Sequence, residues 1–212
     1  MRLVLASTSP ARLALLRAAG VEPVVAASDV DEPAAVDAAE RAASRPLTPA
    51  EVVELLARAK AEAVAPRFPG DLVLGGDSAF EFEGLLYGKP GTPQAAAERW
   101  LRQRGREGVL HSGQWLVDGR TGRGAGAVSS TVVRFVQDLT DDEIDAYVAS
   151  GEPLAVAGAF TIDSLGGPFI AAVEGDPSTV VGLSLPTLRR LVRATGVEWT
   201  ALWNRPGAAS AL

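Results

Sequence analysis

The sequence predicts an α/β domain built on a mixed β-sheet, and three observations support this. Short apolar runs that suit buried strands alternate along the chain with segments of helical periodicity. A hairpin signal interrupts the alternation, which adds antiparallel pairing to an otherwise parallel arrangement. The chain has 212 residues, 47% of them hydrophobic and 22% charged, which is typical of a globular domain and not of a disordered chain. We therefore expect one domain that covers residues 1–212.

The first predicted unit is a strand followed by a turn and a helix. Residues 3–6 form an apolar run that suits a buried strand. Ser9 can cap a helix that begins at Pro10, a position where proline costs no hydrogen bond, and Gly20 ends that helix. Residues 24–27 are predicted as a second strand.

The next segment leads to a third predicted strand. Residues 33–46 are rich in alanine with scattered charge and are predicted as a mobile connection or a weak helix. Residues 48–51, Thr-Pro-Ala-Glu, are a capping box that opens a helix to about Val64. Residues 72–76 are predicted as a strand that ends at Asp77.

The second half continues the same alternation. A hairpin is predicted around Glu83-Gly84, and a second capping box at residues 140–143 opens a helix that stops at Ser150-Gly151. The other predicted elements are strands at 109–117, 125–136, 157–162, 168–173 and near Trp199, and helices at 92–103 and 186–195. Residues 204–212 are predicted as a frayed tail.

Composition excludes several classes of function. The 20 basic and 26 acidic residues give a net charge of −6, which argues against a protein that coats nucleic acid. The chain has no cysteine and one histidine, so a disulfide framework, a cysteine-ligated zinc site and a thiolate nucleophile are excluded. His111 is predicted to be structural. With no apolar run near the roughly 20 residues of a membrane span and no signal-peptide pattern, we expect a cytoplasmic protein with no membrane partner.

The first helix offers a candidate phosphate site. A helix N-terminus presents unpaired N–H groups and a positive dipole end. Ser7 and Ser9 flank this end, and Arg12, a bidentate partner for phosphate, lies in the first turn. The alternative interpretation is that Ser9 is only a cap and Arg12 a solvated charge.

Acidic residues and two lysines complete the candidate set. Asp77 follows a strongly apolar run and two glycines that let a ligand approach the backbone, which suits a general base or a metal ligand, although a turn aspartate is equally expected. Glu32, next to Asp31, could add a carboxylate for a hard cation. Lys60 and Lys89 would singly be interpreted as surface lysines. Together these residues suit a polyphosphate ester held with a divalent metal.

The sequence resembles the Maf family of nucleoside triphosphate pyrophosphatases, whose opening signature is similar to residues 5–16, Leu-Ala-Ser-Thr-Ser-Pro-Ala-Arg-Leu-Ala-Leu-Leu. Further matches follow in the same order, and together they cover about residues 3–200. They lie at 31–32, 59–61, 76–77, 88–90, 147 with 150–153, 157–160, 174–176 and 180–185.

The resemblance implies a fold and an activity. The fold would be an elongated mixed sheet flanked by helices, similar to the inosine triphosphate pyrophosphatases, with the ligand in a cleft between two lobes. The reaction would be hydrolysis of a nucleoside triphosphate to the monophosphate and pyrophosphate, which removes non-canonical or excess nucleotides. The family also implies a divalent cation (Mg²⁺, Mn²⁺ or Co²⁺), a cytoplasmic setting and a homodimer.

The resemblance also implies roles for residues already identified. Asp77 matches the family's proton acceptor, and Glu32 matches an acidic residue that serves the metal together with Asp77. The phosphate-binding cations match Arg12, Lys60 and Lys89, and the hydroxyls at the phosphate end match Ser7 and Ser9.

Three positions depart from the branch of the family that acts on thymidine and uridine triphosphates. Ala11 stands where that branch has a first arginine, Ser78 where it has threonine, and Asp163 where it has glutamine. An ionised aspartate only accepts hydrogen bonds, so it favours a base edge rich in donors. We therefore predict a preference for a guanine-type base or cytosine. A non-catalytic nucleotide-binding protein in cell-division control is the alternative, which the missing arginine at Ala11 keeps open.

Overall fold

The structure is a computed structural model that describes residues 1–204, so most of the predicted tail lies outside the described residues. The strands are β1 (Leu3–Leu5), β2 (Val24–Val25), β3 (Leu72–Phe82), β4 (Leu85–Tyr87), β5 (Glu107–Asp118), β6 (Arg123–Phe135) and β7 (Ile170–Glu174). The α-helices are α1 (Pro10–Ala18), α2 (Glu32–Ala43), α3 (Pro49–Val64), α4 (Pro93–Gln103), α5 (Asp141–Ala149), α6 (Pro177–Val181) and α7 (Leu185–Ala194).

The sheet is mixed, as the alternation of strands and helices with a hairpin predicts. Within the described chain it has seven strands in the order β2-β1-β3-β5-β6-β7, with β4 paired to β3. Strand β1 pairs in parallel with both β2 and β3, whereas β3 with β4 and β6 with β7 are antiparallel. The predicted α/β class is confirmed.

Contacts divide the chain into two compact units, which are described separately. Among the described residues, the first contains 1–77, 112–128 and 182–204, and the second contains 78–111 and 129–181.

In the first unit, helices cover both faces of β1 and β3. Alternate residues of a strand point to opposite faces. Leu3 and Leu5 pack with Leu16 of α1 and Leu188 of α7, whereas Val4 on the opposite face packs with residues of α3. Both faces of β1 are therefore buried, which explains its uninterrupted apolar sequence.

Helix α3 lies unusually close to the sheet because two glycines leave room for its backbone. A Cβ atom on Gly75 would stand 2.0 Å from the carbonyl oxygen of Ala57, and one on Gly113 would stand 2.2 Å from that of Val53. Both distances are below van der Waals contact, so only glycine fits at these positions. The close approach brings Lys60, one turn further along α3, within reach of β3.

The second unit has an aromatic core. Phe80, Phe135 and Phe160 meet edge to face, with ring centroids 5.0 to 6.0 Å apart. Trp100 of α4 is fully buried, and its indole N–H donates to the carbonyl oxygen of Ala159 at 2.7 Å. This bond fixes α4 against the turn that contains Ala159.

Several predicted elements are correct because their signals are local. The two capping boxes form as predicted, and α3, α4 and α5 begin and end within a residue of the expected bounds. The alanine-rich segment 33–46 is mostly helical, as the second of the two predicted alternatives states.

Other predictions are wrong. Strand β3 does not end at Asp77 but continues to Phe82, because its hairpin partner β4 extends the pairing. Residues 157–162 contain a 3₁₀ turn in place of a strand, since Gly158 has φ = 73° and interrupts any extended run. The segment near Trp199 is also 3₁₀. Helix α6 was not predicted, although Asp176 before Pro177 is a recognisable start signal.

Among residues 1–204, none of the helices combines the length and apolar character that crossing a membrane requires.

Candidate active site

Arg12 is held inside the first unit, not in solvent. Ser9 caps α1, its hydroxyl accepting from the Arg12 backbone N–H at 3.5 Å. The guanidinium Nε donates to the carbonyl oxygen of Gly182 at 2.7 Å, and Nη1 donates to the Ser7 hydroxyl at 3.1 Å. Arg12 is 8% exposed, so its interpretation as a solvated charge is wrong.

The Ser7 hydroxyl joins the helix start to Arg12. Besides the guanidinium, it also accepts from the backbone N–H of Ser9 at 3.2 Å. Both predicted serines thus lie at the N-terminus of α1. Ser9 is a cap, as its alternative interpretation states, and it belongs to the same hydrogen-bonded group as Arg12.

Gly76 lets the Arg12 side chain lie against β3, next to Asp77. A Cβ atom on Gly76 would lie 3.1 Å from the Arg12 Nε. The guanidinium therefore rests on the backbone of β3 immediately before Asp77. The two glycines before Asp77 make room for the chain's own helices and side chains, which differs from the sequence-based expectation that they make room for a ligand.

Lys60 connects two carboxylates. Its Nζ lies 2.7 Å from Oδ1 of Asp77 and 2.8 Å from Oε1 of Glu32. The side chains of Lys60 and Asp77 are only 10% and 15% exposed, whereas Glu32 is 47% exposed. Lys60 is therefore not the surface lysine that its helical context predicts, and Asp77 lies within a strand and not in a turn.

The start of α2 distinguishes the two neighbouring acids. The Asp31 carboxylate caps the helix, accepting from the Ala34 backbone N–H at 3.0 Å. Glu32 is the next residue, and its side chain turns to Lys60. Sequence alone does not separate these two carboxylates, because the difference is the local geometry of a helix cap.

Arg12, Lys60, Asp77 and Glu32 form one cluster of charges, in which the pKa values of Asp77 and Arg12 are shifted. Burial raises the pKa of Asp77, while the charges of Lys60 and Arg12 oppose the rise and that of Glu32 adds to it. Burial also lowers the pKa of Arg12, against the charges of Asp77 and Glu32. A carboxylate with a raised pKa is a better proton acceptor than an ordinary surface aspartate.

The donor set suits a divalent cation that is held partly by substrate. Within residues 1–204, no group of three His, Cys, Asp or Glu side chains could hold a metal ion. Glu32 and Asp77 nevertheless direct one oxygen each at a single cationic group. Mg²⁺ is commonly bound through one or two carboxylates together with substrate phosphates, so this pair fits the cation that the family implies.

The remaining predicted residues are not part of this cluster in the first unit. Ala11 lies half-buried on α1 next to Arg12. Lys89, Ser78 and Asp163 belong to the second unit. Lys89 is exposed after β4, Ser78 directly follows Asp77 on β3, and Asp163 is exposed. The predicted roles of these four residues stay predictions.

Sequence reasoning missed the Gly182 carbonyl as a partner of Arg12. A backbone oxygen leaves no mark in the residue identities, so no motif could have indicated it. His111, predicted to be structural, has both ring nitrogens within hydrogen-bonding distance of partners in the second unit. Nδ1 lies 2.8 Å from the Ser130 hydroxyl, and Nε2 lies 2.9 Å from a Glu81 carboxylate oxygen.

The chain is similar to known proteins over almost its whole length. The family model described as "Maf-like protein" matches residues 2–195. A protein of Leifsonia xyli named nucleoside triphosphate pyrophosphatase is 67% identical, the alignment covering 98% of this chain and 99% of the relative. Proteins of the same name from Salinispora tropica and Streptomyces coelicolor are 54% and 52% identical, over 97% and 95% of this chain and 88% and 94% of those relatives.

Proposed function

The chain belongs to the Maf-like protein family, and from this premise we propose that it is a nucleoside triphosphate pyrophosphatase. It hydrolyses the linkage between the α and β phosphates and releases a nucleoside monophosphate and pyrophosphate. The observation that carries the proposal is the buried ion pair of Lys60 with Asp77, which lies on the strand against which Arg12 rests. A proton acceptor and cations for phosphate are thereby combined within one unit of the chain.

Asp77 is the proposed general base. It takes one proton from a water molecule whose oxygen forms a bond to the attacked phosphorus. The bond from that phosphorus to the oxygen that bridges the α and β phosphates breaks, and its electron pair leaves with that oxygen. Its ion pair with Lys60 fixes the direction of the carboxylate, and the raised pKa that burial gives Asp77 strengthens its hold on the proton. The base is oriented before substrate binds, which lowers the cost of reaching the transition state.

Arg12 is the proposed phosphate clamp, together with Lys60. Hydrogen bonds to Gly182 and Ser7 fix the guanidinium, so little side-chain freedom is lost when a phosphate binds. Because the group is poorly hydrated, its attraction for a phosphate oxygen is stronger than that of a surface arginine. Ser7 and Ser9 belong to the same phosphate end, and we assign Lys89 as a further phosphate-binding cation.

Glu32 and Asp77 are the residues we propose to hold a divalent cation, Mg²⁺, Mn²⁺ or Co²⁺, with substrate phosphates. When bound, that cation neutralises the negative charge that builds up on the phosphates. Further elements of the proposal are that the chain is one functional domain, acts as a homodimer in the cytoplasm and removes non-canonical or excess nucleotides.

The base preference is proposed from Ala11, Ser78 and Asp163. The carboxylate of Asp163 accepts hydrogen bonds but donates none, so it matches the N1–H and amino group of guanine or the amino group of cytosine. A uracil or thymine edge presents one N–H between two carbonyl groups, and an ionised aspartate has no donor for those carbonyl groups. We propose that guanine-type or cytosine nucleotides are preferred over uridine and thymidine triphosphates.

Pyrophosphate release from a panel of nucleoside triphosphates tests the proposal. We expect release that depends on Mg²⁺, Mn²⁺ or Co²⁺, stops with a chelator and is fastest for guanine-type or cytosine nucleotides. A preference for uridine or thymidine triphosphate would contradict the role of Asp163. Binding of nucleotides without any pyrophosphate release would instead favour the non-catalytic protein of cell-division control.

A further inference from the structure

The Glu152 carboxylate accepts hydrogen bonds from four groups of the segment 161–166 in the second unit. One carboxylate oxygen accepts from the Thr161 hydroxyl at 2.5 Å and from the Gly166 backbone N–H at 3.1 Å. The other accepts from the Ser164 hydroxyl at 2.6 Å and from the Leu165 backbone N–H at 3.3 Å. The four donors lie within six consecutive residues, so one side chain holds the backbone of the whole segment in place.

Two further observations show that the segment is tightly held. Burial alone would raise the pKa of Glu152, but hydrogen bonds from Ser164, Thr161 and Tyr147 outweigh it and lower the pKa to about 2. The carboxylate therefore stays ionised at neutral pH. A Cβ atom on Gly166 would lie 2.6 Å from the Tyr147 hydroxyl, so the segment also packs too closely on α5 to admit a larger residue.

Asp163 lies in the middle of this segment. It is exposed, and within the described part of the chain no hydrogen bond or ion pair holds its side chain. Its position therefore depends on the backbone of residues 161–166, which Glu152 fixes from both sides of Asp163. Thr161 lies two residues before it, and Ser164, Leu165 and Gly166 follow.

We propose that Glu152 is a positioning residue for base selection, which sets where the Asp163 carboxylate presents its oxygens to the nucleotide base. This inference rests on the proposed function, in which Asp163 selects the base. Glu152 itself does not touch the nucleotide in this scheme. Its effect on selectivity should therefore pass entirely through Asp163.

A double-mutant cycle on Glu152→Gln and Asp163→Asn tests the proposal. The readout is the ratio of kcat/KM for GTP to that for UTP, with CTP as a second comparison. Glutamine places an amide N–H where Glu152 has an acceptor, so it opposes at least one donor of the segment. Because small misplacements of binding groups have large kinetic effects, we expect Glu152→Gln to lower the ratio roughly tenfold or more. Asp163→Asn should lower it as well, and the double variant should match Asp163→Asn alone.

Two further variants keep the test independent of folding. Glu143→Gln is the matched control, because the Glu143 carboxylate accepts from the backbone N–H and the hydroxyl of Thr140 and not from the segment, so this variant should leave the ratio unchanged. Ser164→Ala removes one bond of the segment and should shift the ratio in the same direction as Glu152→Gln, but less. If Glu152→Gln does not fold, Ser164→Ala replaces it in the cycle.

The outcomes separate this inference from the proposed function. The positioning role is overturned if Glu152→Gln keeps the wild-type ratio, or if the effects of Glu152→Gln and Asp163→Asn on the logarithm of the ratio simply add. Asp163 then stays the selecting residue. An unchanged ratio in Asp163→Asn overturns both the positioning role and the basis of base selection. Pyrophosphate release by the wild type tests the reaction itself, and none of these ratios affects it.

Discussion

Asp77→Asn is the substitution that most directly tests the proposed chemistry. Asparagine has almost the same shape, but at neutral pH it does not accept the proton of water. Losing a positioned general base typically lowers the rate by about 10²–10⁴. A factor of ten in rate corresponds to about 1.4 kcal/mol, so the activation barrier should rise by about 3–5 kcal/mol.

The structure also indicates which properties should change little. Lys60 keeps Glu32 as an ion-pair partner, so no isolated charge is left buried. Burial raises the pKa of Asp77, which means that folding disfavours its ionised form and that a neutral amide removes this cost. The unfolding midpoint should therefore stay close to that of the wild type. Without Mg²⁺, removing a negative charge near the triphosphate should not weaken its binding. With Mg²⁺, binding should weaken to the extent that Asp77 serves as a metal ligand.

The assay is pyrophosphate release under single-turnover conditions, together with the Kd of an α,β-methylene triphosphate analogue with and without Mg²⁺. Asp71→Asn is a matched control, because Asp71 is a buried, ion-paired carboxylate on the same stretch of chain. Its partner is Arg2 at 2.6 Å, outside the cluster, so Asp71→Asn should lower stability and spare turnover. Equal turnover by Asp77→Asn and the wild type would refute the mechanism.

Three further predictions follow from contacts in the structure. Arg12→Ala should lower kcat/KM about 100-fold through both KM and kcat, since it removes a phosphate ligand that binds the ground state and binds the transition state more strongly. It should also lower the unfolding midpoint, because the Gly182 carbonyl loses the hydrogen bond from Arg12. Steady-state kinetics that show only a KM effect would contradict this prediction. The difference in unfolding free energy between wild type and Glu152→Gln should be constant above pH 5 and should close as the pH falls from about 4.5 to about 2. The reason is that folding lowers the pKa of Glu152, so the stabilisation by its carboxylate disappears on protonation. Denaturant unfolding at several pH values measures this difference, and a difference that persists at pH 2 would argue against the carboxylate as its source. Gly75→Ala should lower the free energy of unfolding by about 1–3 kcal/mol or more, because the new Cβ would lie 2.0 Å from the Ala57 carbonyl oxygen of α3. Gly88→Ala is the control and should leave thermal unfolding unchanged, because a Cβ at that position has no atom within 4 Å.

The parts of the fold that the sequence predicts well are those fixed by neighbouring residues. Thr48 and Glu51 satisfy each other's backbone N–H groups, so the start of α3 is visible in four residues. The end of β3 is different, because residues beyond Asp77 stay extended through pairing with β4. Gly158 likewise takes a left-handed conformation that the apolar sequence around it does not indicate.

The candidate site shows the same division. The residue types of Arg12, Lys60, Asp77 and Glu32 indicate phosphate chemistry, and the resemblance to the family selects them. The burial of Arg12, Lys60 and Asp77 could not be predicted, since it depends on Gly75 and Gly76, which admit α3 and the Arg12 side chain against β3. The division of labour between Asp31 and Glu32 is also a matter of geometry, because only the first reaches the free N–H of the helix start.

The pairing of Lys60 with two carboxylates has a consequence for what the site recognises. With Arg12 and Lys60 positive and with Asp77 and Glu32 ionised, the four charges of the cluster add to zero. The chain as a whole carries −6, so no long-range field attracts a polyanion to it. Under the proposed function, electroneutrality then favours the nucleotide together with its own counter-cation as the ligand. Turnover should accordingly follow the concentration of the metal–nucleotide complex, and excess free triphosphate should act as a weak competitor.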